Sequence, residues 1–512
     1  MNVIFWNSLN GISDLISRYV GPYKLNHWIK KHGYTGQVID FIQYLTEEEI
    51  YLATKKFITT DTLVIGVSST FITYNNNGES IAFTWKDGSK NVFPENILKT
   101  AMKIKLEYPN IKFVLGGYAS EHMYGRGVFD ATVMSYTEAS EDIFLEYLNF
   151  LKKGTEPPFS KIIFSYSHIA PSIPVKSRIY YYQARNKVYN IEHDDFRFSK
   201  QDAVLHGETL PLDISRGCIF ACRFCQYPHL GKGKLDYTRG MEYIKEELIS
   251  NYELFGTTRY MIIDDTFNDT VTKMESFLTM TNSLPFKIEY AAYIRADLVD
   301  RFPDTAYMLK ESGLWGAFHG IESLHPYASN LVGKAWSGKK ARDFIPKLYH
   351  DMWEGKIPQL LSFISGLPKE TPKDIMNTLK WHKENNLYSI VVGALGLNNP
   401  NKSNRHTIRS EFEKNAEKYG FKFNENTSWN SNAWENETWT SKSAKDFLVP
   451  IFKYLNDNNL RRASPWAVGN LQLLGYDKEY LFNTPVQNID NPDYRSRLYN
   501  KYREYYNLLM SL

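Results

Sequence analysis

Two separate series of short apolar runs alternating with amphipathic stretches constrain this chain most. In the first, NVIFWN (Asn2–Asn7), Gln37–Phe41, Leu63–Ser68, Lys112–Gly117 and Ala131–Tyr136 read as strands. Helical patterns at Arg18–His32, Glu47–Phe57, Glu95–Glu107 and Glu141–Leu151 lie between or after them. Short apolar strands alternating with helices imply a parallel sheet covered on both faces. Residues 1–152 are therefore expected to form a doubly wound, Rossmann-like α/β domain, whose ligands sit beyond the carboxyl ends of its strands.

The second series runs through RYMIIDD (Arg259–Asp265), Lys287–Ile294, Trp315–Glu322, Leu360–Gly366 and Ser389–Leu395, with helical patterns at Gly240–Phe255, Pro303–Ser312, Lys339–Trp353 and Pro372–Asn385. Repeated βα units of this length fit a full or partial β/α barrel over residues 208–398, with functional groups on the loops after the strands. Residues 153–207, where TEPPF and APSIPV break the periodicity, are read as a connector. Residues 399–512 begin polar and dotted with tryptophan, then become mostly helical from Ser441.

A chain of 512 residues is too long for one core. Its 60 basic and 57 acidic residues leave a formal charge of +3, which gives no electrostatic case for nucleic acid or a membrane surface. No run approaches the roughly 18 apolar residues of a membrane span. The opening MNVIFWNSLNGISD lacks the basic region, apolar run and small-residue cleavage site of a secretory signal. A cytoplasmic protein is expected, and there clustered cysteines favour a metal or redox site over disulfides.

All three cysteines of the chain, Cys218, Cys222 and Cys225, fall within SRGCIFACRFC. Thiolates so close on a short loop can converge on one metal centre. Structural zinc takes four protein ligands, and the nearest fourth candidate, His229, does not have a familiar finger spacing. Iron–sulfur electron carriers also generally take four. Three cysteines suggest instead a 4Fe–4S cluster with one iron left open to a small molecule. A zinc-binding or electron-transfer module without further chemistry remains the alternative from another class.

CIFACRFC resembles the CxxxCxΦC signature of the radical S-adenosylmethionine (SAM) superfamily, with Phe224 as the aromatic residue before the last cysteine. The resemblance implies that Cys218, Cys222 and Cys225 each hold one iron and that SAM chelates the fourth. It further implies reductive cleavage of SAM to a 5′-deoxyadenosyl radical, with an external electron donor such as flavodoxin or ferredoxin. IIDDTF resembles the family's second-strand segment, which would set Asp264 and Asp265 beside the methionine part of SAM; capping of the next helix is the plainer role. Arg295 in YIRADL resembles a basic residue of the third strand facing the site, against a surface ion pair. Glu322 and Ser323 in GIES resemble the fourth-strand segment that contacts SAM. FISGLPKET resembles the fifth-strand segment near adenine, with Ile364 and Gly366 as contacts. Thr371 and Pro372 are read as a helix cap and first turn, and Glu246–Glu247 as a solvated helix face.

An α/β domain ahead of such a barrel resembles the cobalamin-binding radical SAM enzymes. KFVLGGYAS resembles their loop at the corrinoid tail, through Gly116 and Gly117; a tight turn into a helix would need the same glycines. Two departures leave cobalamin open. There is no Asp-x-His-x-x-Gly to supply a lower ligand, and Tyr136, Thr137 and Ala139 stand where the family has a glycine-rich turn. The expectation is a radical SAM enzyme acting on a small metabolite, either by cobalamin-dependent methyl transfer or by cobalamin-independent rearrangement or oxidation. Trp429, Trp434 and Trp439 are candidates either to line a substrate pocket or to anchor packing.

Overall fold

The computed structural model describes residues 1–7, 17–68, 82–84, 90–92, 95–117, 128–135, 140–155, 162–166, 179–183, 191–225, 237–334, 336–397, 399, 410–423, 433–489 and 491–512. A seven-stranded, wholly parallel sheet occupies the first part of the chain. Its strands are β1 (Val3–Trp6), β2 (Gly36–Ile39), β3 (Val64–Ser68), β4 (Lys112–Gly116), β5 (Ala131–Ser135), β6 (Ile162–Tyr166) and β7 (Ile179–Gln183), in the order β2-β1-β3-β4-β5-β6-β7. Val3 pairs with Gly36 on one side and Val64 on the other, so the winding reverses at β1. The crevice beyond the carboxyl ends of β1 and β3 is the place where such a sheet takes a ligand.

Alternation along β1 shows why the run is apolar throughout. Val3 and Phe5 enter a core with Tyr23, Ile29, Ile143 and Phe144, whereas Ile4 and Trp6 enter a second core with Ile50 and Ile97. Both faces are therefore buried beneath helices. The stretch 153–207 is more than a connector, because β6 and β7 lie within it and extend the sheet through the pairs Thr132–Ile162 and Ile162–Ile179. Their sequences, IIFSY and IYYYQ, are β-branched and aromatic, which outweighs the prolines flanking them.

The second sheet has six parallel strands that neighbour one another in chain order: β8 (Leu210–Leu212), β9 (Arg259–Ile262), β10 (Glu289–Tyr293), β11 (Leu314–Glu322), β12 (Gln359–Ser365) and β13 (Ser389–Ala394). This is the partial β/α barrel. On β10, Tyr290 and Ala292 join a core with Phe277 and Leu309 of the covering helices. Ala291 faces the other way, in a cluster with Ala467 and Val468 of the C-terminal helix Pro465–Leu473. That helix enters the barrel from within, and a Cβ on Gly316 would lie 2.6 Å from Pro465.

The three parts are fastened by one buried network. Arg18 Nε meets Glu208 at 2.6 Å with both side chains fully buried, and its other nitrogens donate to Tyr23 and to the carbonyls of Asp202 and Ala203. Tyr23 donates to Asp40 at 2.7 Å, and the Asp40 backbone N–H donates to Tyr505 in the last helix, Pro492–Ser511. The Glu246–Glu247 pair splits. Glu246 is exposed, paired with Arg197, but Glu247 is buried and meets Arg239 at 2.7 Å. Thr371 caps the helix Pro372–Glu384, with Pro372 in its first turn.

Candidate functional site

The cysteine loop leaves β8 and is held at both ends. Before it, the Asp264 carboxylate accepts from Ile214 N (3.0 Å), Ser215 N (2.8 Å) and Ser215 Oγ (2.5 Å), with Lys273 Nζ at 3.4 Å. Gly217, at φ +81°, then turns the chain into Cys218. Beyond Cys222, Arg223 N donates to Val332 O, Arg223 Nη1 to Leu331 O, and Phe412 N donates to Arg223 O. Cys225 N closes a turn onto Cys222 O at 3.0 Å. All three cysteines are half-buried, so their sulfurs are reachable yet sheltered.

Cations gather at Cys222. Arg295 lies 3.9 Å from its sulfur, stacks over Phe220 at 3.9 Å, and is held by Asp297. Burial pushes the Cys222 thiol up, and Lys334 and Arg295 pull it the other way. Lys334 Nζ donates to Gly320 O at 2.5 Å and Glu322 Oε1 at 2.8 Å. Glu322 sits at the end of β11, beside a register shift, with φ +68°. A side chain in that left-handed region is uncommon and is sustained only by its surroundings. Cys218 Sγ lies 3.4 Å from Thr266 Oγ1.

The structure brings together Cys218, Cys222, Cys225, Arg295 and Glu322. Phe224 packs, partly buried, against the main core. Asp264 is not turned to the inner face. It shares the outward side of β9 with Tyr260 and Ile262, and it clamps the loop rather than lying beside a ligand. It does not cap the following helix either, which is capped by Thr270. Asp265 is half-buried. Ser323 is directed away, donating to Glu370 Oε1 at 2.6 Å. Gly366 has φ +114°, and the flank a Cβ would fill is taken by Trp434 at 2.7 Å, so packing as well as backbone conformation requires glycine there. Ile364 is half-buried one turn of the pleat earlier. Trp434 and Trp439 are buried packing anchors, their indole N–H groups donating to Leu395 O and Glu370 O. Trp429 and His229 lie outside the described residues.

Sequence reasoning missed Lys334, Phe220, Thr266 and Glu370. Lys334 carries no local motif, because it reaches Glu322 across a helix and turn. Glu370, just before the Thr371 cap, is 2% exposed and accepts from Ser323.

In the first sheet Gly116 and Gly117 end β4 at the ligand side. Among the described residues, an added Cβ at Gly116 would meet no atom within 4 Å, and Gly117 has φ +100°. Tyr136, Thr137 and Ala139 lie outside the described residues.

Structural zinc takes four protein ligands, and the loop offers three thiols, Cys218, Cys222 and Cys225. With two cations beside Cys222 to offset thiolate charge, the residues fit an iron–sulfur cluster.

Residues 212–382 match the Radical SAM superfamily model. The chain carries a radical SAM domain. Solved structures similar to it include a radical S-adenosylmethionine methyltransferase, TsrM from Kitasatospora setae, with cobalamin and a [4Fe-4S] cluster bound. The identity there is 13%, over 82% of this chain and 77% of that one, with a TM-score of 0.55. The cobalamin-dependent S-adenosylmethionine radical enzyme OxsB, with aqua-cobalamin and S-adenosylmethionine bound, is 13% identical over 99% of this chain and 72% of that one, with a TM-score of 0.60. These likenesses establish the shared fold, an α/β sheet domain joined to a radical SAM barrel. No curated protein matches the chain in sequence. Among the described residues, no helix is long and apolar enough to cross a membrane.

Proposed function

We propose that this protein is a cytoplasmic, cobalamin-dependent radical SAM enzyme that transfers a methyl group to a small molecule. The observation that carries the reading is the half-buried trio of cysteines at the barrel mouth with Arg295 and Lys334 beside it, in a chain whose first sheet ends β4 in Gly116 and Gly117 on its ligand side. Cys218, Cys222 and Cys225 would hold a 4Fe–4S cluster, which supplies the electron for reductive cleavage of SAM, and the crevice at Gly116 and Gly117 would take cobalamin as methyl carrier. The protein's own contribution is positional. Asp264 fixes the start of the loop, Arg295 and Lys334 balance thiolate charge, and Glu322 is held in place by Lys334 at the end of β11. The barrel walls exclude water from a reactive species. The electron would come from an external donor of the flavodoxin or ferredoxin kind.

Anaerobic reconstitution tests this. About four irons per chain, conversion of SAM to 5′-deoxyadenosine with dithionite, and corrinoid absorption retained after desalting are expected. Unchanged iron in the Cys218→Ala, Cys222→Ala, Cys225→Ala triple variant would defeat the cluster assignment. Iron and SAM cleavage without retained corrinoid would leave a cobalamin-independent radical enzyme.

A further inference from the structure

Arg295 meets the cysteine loop in an arrangement that has a direction. A guanidinium carries five N–H donors in a fixed plane. Asp297 takes the edge formed by Nε, at 3.0 Å, and Nη2, and Nη2 also reaches Lys334 O at 3.5 Å. Nη1 is the remaining corner of the plane, and it donates toward Cys222 Sγ at 3.9 Å. The anion of this ion pair therefore stands behind the cation as seen from the sulfur. A pair ordered in this way presents its positive end to Cys222, so its two charges do not cancel there.

The face of the same plane is covered. Phe220, two residues from Cys218 and two from Cys222, sets the centre of its ring 3.9 Å from the guanidinium carbon. Only 11% of the Arg295 side chain is exposed, so water and salt screen its charge little. The backbone is fixed as well. Arg295 N donates to Asn268 Oδ1 at 2.8 Å, and Asn268 Nδ2 donates back to Arg295 O at 3.0 Å.

The potential of an iron–sulfur centre follows its net charge, the hydrogen bonds to its sulfurs and its exposure to water. Uptake of one electron from an external donor adds one negative charge and makes or breaks no bond. A fixed cation against a ligand sulfur stabilises that added charge, and an N–H donated to the sulfur acts in the same sense. We propose that Arg295 is a redox-tuning residue: held from behind by Asp297 and covered by Phe220, it raises the reduction potential of a cluster ligated by Cys222. The inference rests on the radical SAM reading and deepens it, because it turns a residue beside the thiols into a control on electron entry.

An anaerobic redox titration of the reconstituted chain without SAM tests this, with the reduced cluster followed by electron paramagnetic resonance and iron measured in the same samples. Arg295→Met should make one-electron reduction about tenfold less favourable, a midpoint about 59 mV lower, and Arg295→Lys should recover part of the loss. Asp297→Asn should move the midpoint the opposite way, since it keeps the cation and removes the anion behind it. Loosening of the loop alone would admit water, which favours the more highly charged reduced state and raises the midpoint in every variant. Phe220→Leu should disfavour reduction about threefold when Arg295 is present and have no effect in the Arg295→Met background. An Arg295→Met midpoint equal to or above that of the parent would overturn the inference, and equal shifts by Phe220→Leu in both backgrounds would overturn the part given to Phe220. If Arg295→Met does not retain iron, Asp297→Asn carries the test, and an unchanged or lowered midpoint there would overturn it. A parent chain without iron, or with iron that dithionite does not reduce, would count against the function proposed above. A reducible cluster with the same midpoint in parent and Arg295→Met would count against this inference alone.

Discussion

Glu370 provides the sharpest test of the electrostatics at the barrel mouth. It is 2% exposed, its Oε1 accepts from Ser323, and among the described residues its Oε2 has no hydrogen-bond partner. Burial is the main cause that pushes its carboxyl from 4.5 to about 8, with Asp374 adding to the shift and Ser323 opposing it. At neutral pH the folded protein therefore holds a proton on this group, and the unpartnered Oε2 is the place for it. Below pH 4.5 the group is neutral whether the chain is folded or not, and its contribution to stability is fully present. As pH rises toward 8 the unfolded chain ionises while the folded one keeps its proton, so stability falls across that window and then levels off. The penalty for the charged form corresponds to about 5 kcal/mol as an upper limit, at about 1.4 kcal/mol per pH unit. Glu370→Gln keeps an acceptor for Ser323 and cannot ionise. Urea midpoints of the two proteins, compared from pH 5 to pH 9, should diverge in favour of the variant by several kcal/mol between pH 5 and pH 8 and run parallel above. Unrelated titrations cancel in the difference. A difference that stays constant between pH 5 and pH 8 would refute the claim that Glu370 is buried as a neutral acid.

Two other perturbations probe the frame around the site. Arg18→Met leaves Glu208 and Asp40 buried without their cation and should cost about 3–5 kcal/mol, read as a lowered thermal midpoint; an unchanged midpoint would mean that the network does not fasten the sheet to the barrel. Asp264→Ala strands two backbone N–H groups at the start of the cysteine loop, so a loss of about 2–4 kcal/mol is expected, together with fewer irons per chain after reconstitution. Full iron loading in that variant would show that the loop is shaped without the clamp.

Much of this architecture is legible in the sequence because burial writes itself into the chain as apolar runs. Strands β1 to β5 and β9 to β13 stand where such runs predict them. The cysteines are legible because ligands to one centre from one loop must be close in sequence. The two strands β6 and β7 were obscured by flanking prolines, although IYYYQ by itself carries a strong preference for extended backbone. Lys334 and Glu370 were illegible for another reason. Each meets a partner brought near only by the closing of the barrel, and a lone lysine or glutamate has no spacing to betray it.

Asp264 and Asp265 show how far a strand's own period could have carried the reading. Side chains alternate across a strand, so two adjacent aspartates at its end cannot both face the interior. Tyr260 and Ile262 are buried on the helix-covered side, and Asp264 continues their parity. That assigns Asp264 outward, where only a set of donors can accept a buried carboxylate, and Ile214 N, Ser215 N, Ser215 Oγ and Lys273 are that set. The same parity turns Asp265 inward, toward Tyr293, whose phenol responds to its charge. One residue of the pair thus builds the loop that presents the cysteines, while the other lies on the opposite face of the strand.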